Sequence, residues 1–190
     1  MPGSPVSPDG PVTIRKDAFP RMNDRRFKLY ATAAAVFALD RLTKWLIETH
    51  VSFNDTYRIV PGFFDIVHSQ NRGVAFGLFN DGASGWSTGV LSLFSLAAVL
   101  VISAILWNAG RPHSFSEGRW SQVGLALILG GAVGNLFDRI VWGRVTDFLE
   151  LYIGDYHWPT FNVADSAIVI GSGLLLVDLL RAKRQAANVP

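Results

Sequence analysis

Four apolar segments, each about as long as a bilayer is thick, are the strongest constraint on how this chain folds. They cover residues of about 27–47, 88–107, 121–142 and 161–180, and a spanning helix needs roughly 20 mostly apolar residues. Because a segment inside lipid must satisfy its own backbone hydrogen bonds, each one is predicted to be a helix. The charged fraction of 17% is below the roughly 25% of soluble domains. The sequence therefore predicts an all-α membrane protein with a four-transmembrane-helix bundle.

Basic residues are unevenly distributed between the two sides of this predicted bundle. An even number of spans places both termini on one side, together with 11 of the 17 Lys and Arg residues. Cytoplasmic loops carry the excess of basic residues, so this side is predicted to be cytoplasmic. Residues 1–24 are rich in Pro, Gly and Ser and are predicted to form a disordered tail. Residues 183–190 are predicted to form a second cytoplasmic tail.

Two segments between the spans are expected on the outer side. Residues 51–82 combine aromatic and β-branched residues with breaks at Pro61, Gly62 and Gly73, a pattern typical of short strands separated by turns. A small sheet is therefore predicted there. Residues 143–160 are predicted to form an outer loop, because their Trp and Tyr side chains suit the headgroup layer.

Ionisable residues occur in three of the four spans, and most of them lie near the outer ends. Asp40 and Lys44 are four residues apart, so they share a helical face and fit either a structural ion pair or a substrate contact. The other polar residues expected at this depth are Asn135, Asp138, Arg139, Asp147 and Asp165. Charged groups inside a membrane are costly and usually face a bundle interior or a wet cavity. A set of them at one depth favours a functional site.

Structural roles stay open for some of these residues. Asn162 and Asp165 fit a capping box, in which Asn at the N-cap and a carboxylate at N3 stabilise the start of a helix. The helix dipole also favours a negative charge at Asp165. Asp138 and Arg139 are interpreted as a structural pair at a helix end.

Five short motifs carry a resemblance to a known family. They are DRLTK (40–44), NRGVAF (71–76), GGAVGNLFDR (130–139), VTDF (145–148) and FNVADS (161–166). In this order they resemble lipoprotein signal peptidase, also called signal peptidase II, over residues 27–182. The resemblance implies a bacterial aspartyl peptidase with four transmembrane helices, a small β-cradle on the outer membrane surface and a mobile outer helix near the site. The predicted sheet at about 51–82 fits the cradle.

The resemblance also implies a reaction and a set of site residues. The family removes the signal peptide from prolipoproteins, cutting before a cysteine that already carries diacylglycerol. By position, Asp147 of VTDF and Asp165 of FNVADS match the catalytic pair, and Asp138 is the competing carboxylate. The positions that match substrate-binding or supporting residues are Asp40, Lys44, Asn71, Gly73, Asn135, Asp138, Arg139, Phe161, Asn162 and Ala164.

Partners and location follow from the same resemblance. The implied partners are a prolipoprotein with a diacylglyceryl-cysteine and the membrane lipids, with no nucleic acid. The implied location is the bacterial inner (cytoplasmic) membrane, with both termini in the cytoplasm and the active site near the outer leaflet. We expect a monomer that needs neither a cofactor nor a metal ion.

Two carboxylates suit peptide hydrolysis in a chain without cysteine, which excludes thiolate catalysis and Cys-ligated zinc. Like charges close together cannot both ionise easily, so the pair shares a proton and can activate water. Which aspartate starts protonated is left open. The alternatives are a small transporter or proton-coupled channel, a non-catalytic lipid- or peptide-binding module, and a presenilin-type protease. The GxGD motif of the last is absent, its nearest match being YIGD at 152–155.

Overall fold

The computed structural model describes residues 24–72, 86–109 and 118–187 of the chain. The elements in chain order are α1 (Asp24–His50), β1 (Thr56–Val60), β2 (Phe64–Asn71), α2 (Trp86–Trp107), α3 (Arg119–Trp142), β3 (Val145–Ile153), β4 (Tyr156–His157) and α4 (Val163–Ala187). Each of the four predicted apolar segments lies in a helix. Gly73, the predicted strand residues after it and nearly all of the predicted tail lie outside the described residues.

Three of these helices have the length and apolar composition needed to cross a membrane. The apolar stretches are Thr88–Trp107 in α2, Arg119–Trp142 in α3 and Val163–Arg184 in α4. Helix α1 has 27 residues, which corresponds to roughly 40 Å at 1.5 Å per residue. It is long enough to span, but its C-terminal half contains Asp40, Arg41 and Lys44.

Helix α3 is the centre of the bundle, since it packs against α1, α2 and α4. Twelve of its 24 residues are buried, whereas among the described side chains of α2 only Ile102 and Leu106 are buried. Small residues allow α3 and α4 to approach closely: a methyl group on Gly124 would lie 2.5 Å from the carbonyl oxygen of Gly171, and the reverse holds as well. A methyl group on Gly131 would collide with the carbonyl oxygen of Ala164. Such contacts are typical of membrane helices.

The two ends of the bundle differ in composition. At the end where α1 begins, a purely apolar core joins α1, α2 and α3; its buried residues are Leu29, Ala33, Ile102, Leu106, Ala109, Leu125, Ala126 and Leu129. There, Asp178 of α4 accepts hydrogen bonds from the backbone N (3.2 Å) and Oγ (2.5 Å) of Ser121. This carboxylate substitutes for an N-cap side chain on α3, whose N-cap residue is Gly118. The opposite end carries the sheet and the buried charges.

The sheet is antiparallel, with strand order β1-β2-β3-β4. The prediction of an outer loop over 143–160 is therefore wrong, because most of this segment forms β3 and β4. Strand β3 pairs with β2, with Ser69 opposite Asp147 and Asn71 opposite Val145. The pairing depends on a strand far earlier in the chain, so no local pattern revealed it. It places Asp147 in the sheet rather than in a loop.

Candidate active site

Asp147 lies on β3, directly after the end of α3. Helix α3 ends at Gly143, which has φ 66° and donates its backbone N–H to the carbonyl oxygen of Arg139; glycine adopts this left-handed conformation without steric cost. The turn leads straight into β3, so Asp147 stays at the end of the bundle that carries the sheet. Its side chain is only 2% exposed. Its Oδ1 accepts a hydrogen bond from Asn162 Nδ2 (2.7 Å) and its Oδ2 one from Asn71 Nδ2 (3.2 Å).

Asp165 lies in the first turn of α4 and forms the expected capping box. The Oδ1 of Asn162 accepts a hydrogen bond from the backbone N of Asp165 (2.9 Å), and the backbone N of Asn162 donates to Asp165 Oδ2 (3.3 Å). The carboxylate of Asp165 accepts a second hydrogen bond, at Oδ1, from Asn135 Nδ2 (2.7 Å). The capping role of Asn162 is confirmed, and the same residue binds both aspartates.

Both aspartates line a single cavity of about 590 Å³. The other polar residues on its wall are Asn71, Arg139, Thr160 and Ser166. The rest of the wall is largely apolar and includes Leu91, Leu151, Trp158, Phe161, Val169 and Ile170. The cavity therefore joins two carboxylates and one cation to a surface suited to apolar ligands.

The electrostatics of the cavity couple the two acids. Burial raises the pKa of Asp147 from its ordinary 3.8 to about 6, and the negative charge of Asp165 adds to the rise. The hydrogen bonds from Asn71 and Asn162, and the charge of Lys44, act in the opposite direction. Arg139 interacts electrostatically with Asp165 and also with Asp147. Two interacting carboxylates of this kind bind and release protons as a pair.

A second charged cluster lies beside the cavity, fully buried around Lys44. Its Nζ lies 2.8 Å from Asp40 Oδ2 and 2.8 Å from Asp138 Oδ2, and it donates to Asn135 Oδ1 at 3.1 Å. Asp40 Oδ1 in turn accepts a hydrogen bond from the backbone N of Ala164 (3.0 Å). The i,i+4 ion pair expected between Asp40 and Lys44 is therefore present, and Asn135 connects it to the cavity.

The interpretation of Asp138 and Arg139 as a structural pair is wrong. Asp138 forms an ion pair with Arg41 as well as with Lys44. Arg139 faces the cavity instead, and its Nη1 donates to the carbonyl oxygen of Asn135 (3.2 Å). Adjacent helical residues point about 100° apart, so Asp138 and Arg139 do not share a helical face. Arg41 was not predicted as a site residue, although its position between Asp40 and Lys44 in the DRLTK motif indicated that it could be one.

The remaining site residues tie β3 to the start of α4. The carbonyl oxygen of Phe161 accepts hydrogen bonds from the backbone N of Phe148 (2.9 Å) and of Leu149 (2.8 Å). Ala164 is fully buried and contacts Asp40 through its backbone N–H. These bonds hold β3 against α4 close to both aspartates. Gly73 lies outside the described residues.

The sequence matches the family model described as signal peptidase (SPase) II over residues 32–181. The chain belongs to the signal peptidase II family. A lipoprotein signal peptidase from Solibacter usitatus is 64% identical over 168 residues, which cover 88% of this chain and 99% of that protein. One from Oleidesulfovibrio alaskensis is 39% identical, over 85% of this chain and 100% of the relative. Family membership makes this chain an aspartic peptidase of the signal peptidase II type.

Two solved structures share this architecture. A bacterial membrane enzyme solved at 2.3 Å by the in meso method superposes with a TM-score of 0.72 and 26% identity, covering 86% of this chain and 94% of that chain. A second one, at 1.9 Å, gives a TM-score of 0.65 with 27% identity, over 81% of this chain and 93% of the other. The combination of apolar helices and a small antiparallel sheet is thus that of a membrane enzyme.

Proposed function

We propose that this protein removes the signal peptide from prolipoproteins whose cysteine carries diacylglycerol, with Asp147 and Asp165 as the catalytic pair. Support comes from the cavity, because the two aspartates and a cation line one largely apolar pocket. The single observation that carries the assignment is that Asn162 is hydrogen-bonded to both of these aspartates. The pKa of Asp147, raised by burial and by the charge of Asp165, shows the kind of shift that is concentrated at catalytic carboxylates.

The reaction uses one ionised and one protonated carboxylate. The ionised aspartate takes a proton from water, and the water oxygen attacks the carbonyl carbon of the peptide bond before the lipidated cysteine. The protonated aspartate donates a hydrogen bond to the carbonyl oxygen. Its proton moves to that oxygen as the tetrahedral intermediate forms. The proton taken from water then goes to the leaving amine as the C–N bond breaks, and a hydroxyl of the intermediate returns a proton to the aspartate that gave one. The pair ends the cycle with one shared proton, as it began.

Asp147 is the better candidate for the shared proton, and Asp165 for the general base. Asp165 lies at N3 of α4, where the positive end of the helix dipole favours a negative charge. Arg139 adds a positive charge that interacts most strongly with Asp165. Asp147 lies on a strand instead, and its burial favours the neutral form of the carboxyl group.

Amide groups would keep both carboxylates in place during the reaction. Asn162 and Asn71 each donate to one oxygen of Asp147, and Asn135 donates to Asp165. Asn71 also lines the cavity, where it would contact the backbone of an extended signal peptide. Among the described residues, six predicted supporting residues lie outside the cavity wall: Asp40, Lys44, Asn135, Asp138, Asn162 and Ala164. Asn135 and Asn162 hold the aspartates, and we assign the other four to holding the helices around the pair.

We place the protein in the bacterial inner membrane as a multi-pass monomer that binds membrane lipids and no nucleic acid. Helix α1 would also cross the membrane and bring the number of spans to four, because Asp40 and Lys44 lie on its side packed against α3 and α4. Both termini would then be cytoplasmic, with 11 of the 17 basic residues on that side. The active site would lie near the outer leaflet, where the acyl chains of a lipidated cysteine also lie.

Cleavage of a defined substrate tests this proposal. The purified protein in detergent or proteoliposomes is given a diacylglyceryl-modified prolipoprotein, and the shortened product is followed by gel electrophoresis and mass spectrometry. The unchanged protein should cleave before the lipidated cysteine. Asp147→Asn and Asp165→Asn should each slow cleavage by about 10²–10⁴-fold, the usual contribution of a general acid or base.

Two control variants locate the catalytic pair. Asp65→Asn removes a buried carboxylate of the same sheet that bonds to Tyr152, and it should leave the cleavage rate unchanged. Asp138→Asn tests the competing carboxylate. If Asp147→Asn cleaved normally while Asp138→Asn did not, the assignment of the pair would be wrong. If the unchanged protein required a metal ion, the mechanism itself would be wrong.

A further inference from the structure

The side-chain amide of Asn135 joins the buried cluster to the catalytic pair. Its Oδ1 accepts hydrogen bonds from Lys44 Nζ (3.1 Å) and from Asn162 Nδ2 (3.3 Å). Its Nδ2 donates to Asp165 Oδ1 (2.7 Å). The two ends of an amide have nearly the same shape, so packing alone does not decide which end faces the aspartate.

Hydrogen-bond chemistry decides the orientation. An ammonium group has three donors and no acceptor, so the end of the Asn135 amide that faces Lys44 must be the oxygen. The nitrogen is then directed at Asp165, which needs a donor. Rotating the amide by 180° would place N–H against N–H at Lys44 and oxygen against oxygen at Asp165.

Lys44 is itself held in one position by its surroundings. It is fully buried, its ammonium nitrogen lies 2.8 Å from a carboxylate oxygen of both Asp40 and Asp138, and it donates a hydrogen bond to Asn135. Arg41 forms an ion pair with the other oxygen of Asp138. The two cations and two carboxylates balance in charge, which offsets part of the cost of burying them.

We propose that Lys44 is a positioning residue of the catalytic pair: it orients the Asn135 amide so that its N–H group points at Asp165. Lys44 does not line the cavity, so it acts through Asn135 and not on the substrate. The inference rests on the proposed role of Asp165. It predicts that losing Lys44 lowers the rate of the chemical step and leaves substrate binding intact.

The test compares two variants that differ only at Lys44. Asp40→Asn is the reference, and Asp40→Asn/Lys44→Met removes the lysine without leaving an unpaired carboxylate, because Asp138 keeps its ion pair with Arg41. Relative to the reference, the double variant should lose at least about 10-fold in kcat, the value of one hydrogen bond to a charged group. Its KM for the prolipoprotein should change little.

Adding Asn135→Ala to each background separates positioning from a general structural role. In the Asp40→Asn background, Asn135→Ala should lower kcat by at least about 10-fold. In the background without Lys44 only the weaker donor, Asn162 Nδ2 at 3.3 Å, still holds the oxygen end of the amide, so the amide is less firmly oriented and the same change should cost less. Equal losses in both backgrounds, or a kcat unaffected by Lys44→Met, would overturn the proposal.

Melting curves show whether the double variant is folded. If it is not, Asn135→Asp decides the question, since it keeps an oxygen towards Lys44 and removes the donor towards Asp165. This variant should be folded and lose at least about 10-fold in kcat; cleavage at the normal rate would overturn the proposal. Failure of the unchanged protein to cleave the prolipoprotein is a separate result, which removes the proposed function.

Discussion

Replacing Asp147 by Asn should stabilise the folded protein at neutral pH, because the native environment disfavours the ionised carboxylate. The pKa of Asp147 rises from 3.8 to about 6, chiefly through burial and then through the charge of Asp165. A carboxyl group with a raised pKa in the folded state contributes most to stability below its unfolded pKa. The contribution is lost as the pH rises towards the folded pKa. The amide that Asp147→Asn introduces has no proton to lose in this range.

The size of the effect follows from this shift. A difference of about two pKa units corresponds to roughly 3 kcal/mol, at 1.36 kcal/mol per unit. Asn keeps the volume of Asp and an oxygen that can accept from Asn162, while the hydrogen bond from Asn71 is lost at a cost of about 1 kcal/mol at every pH. The stability difference between Asp147→Asn and the unchanged protein should therefore grow by about 3 kcal/mol from roughly pH 3 to pH 7.5.

Reversible unfolding in mixed micelles measures this difference. The free energy of unfolding of both proteins is determined by denaturant titration at several pH values, and only the change of the difference with pH is interpreted. Asp65→Asn serves as the matched control, because it removes a buried carboxylate of the same sheet that lies outside the cavity. If the difference for Asp147→Asn varied with pH no more than that of the control, the coupling of Asp147 to its environment would be refuted.

Three other measurements test the site and the helix packing. If Asp147 holds the shared proton, kcat/KM should fall by about 10-fold per pH unit well above pH 6, whereas a profile that is flat from about pH 5 to pH 8 would contradict this role. Gly131→Ala should destabilise the folded protein by about 1–3 kcal/mol because its methyl group meets Ala164. Gly173→Ala, with open space around it, should stabilise the folded protein by up to about 1 kcal/mol. Equal shifts in melting temperature for the two variants would refute the packing argument. Asp178→Ala should lower the free energy of unfolding by about 1 kcal/mol, because the cap on α3 is lost, and should leave kcat unchanged. An unaltered melting curve would contradict that cap.

Features encoded over a few residues could be predicted from the sequence. The apolar segments were long enough to identify each helix without knowledge of its neighbours. Asn162 and Asp165 are three residues apart, so the capping box was visible locally, and so was the i,i+4 pair of Asp40 with Lys44. Local spacing alone gives these contacts because the backbone geometry of a helix fixes them.

Features that depend on distant contacts could not be predicted in the same way. Strand β3 pairs with β2, which lies far earlier in the chain. The β-branched and aromatic residues of 145–153 and the Gly154-Asp155 turn indicate strands locally, but they do not identify that partner. The partners of Asp138 are Arg41 and Lys44 of another helix, whereas the sequence offered the adjacent Arg139 as the obvious candidate. This second error assigned a local partner to a group whose real partners are brought in by the tertiary fold.

Two groups of charges lie in and beside the cavity, and each has balancing charges within it. Asp40 and Asp138 are paired with Arg41 and Lys44. In the proposed mechanism, the catalytic pair has one proton and one negative charge, and Arg139 balances that charge. Opposite charges offset part of the cost of removing each ion from water. The site therefore remains neutral only while the pair retains its proton, and that same proton is the one needed for catalysis.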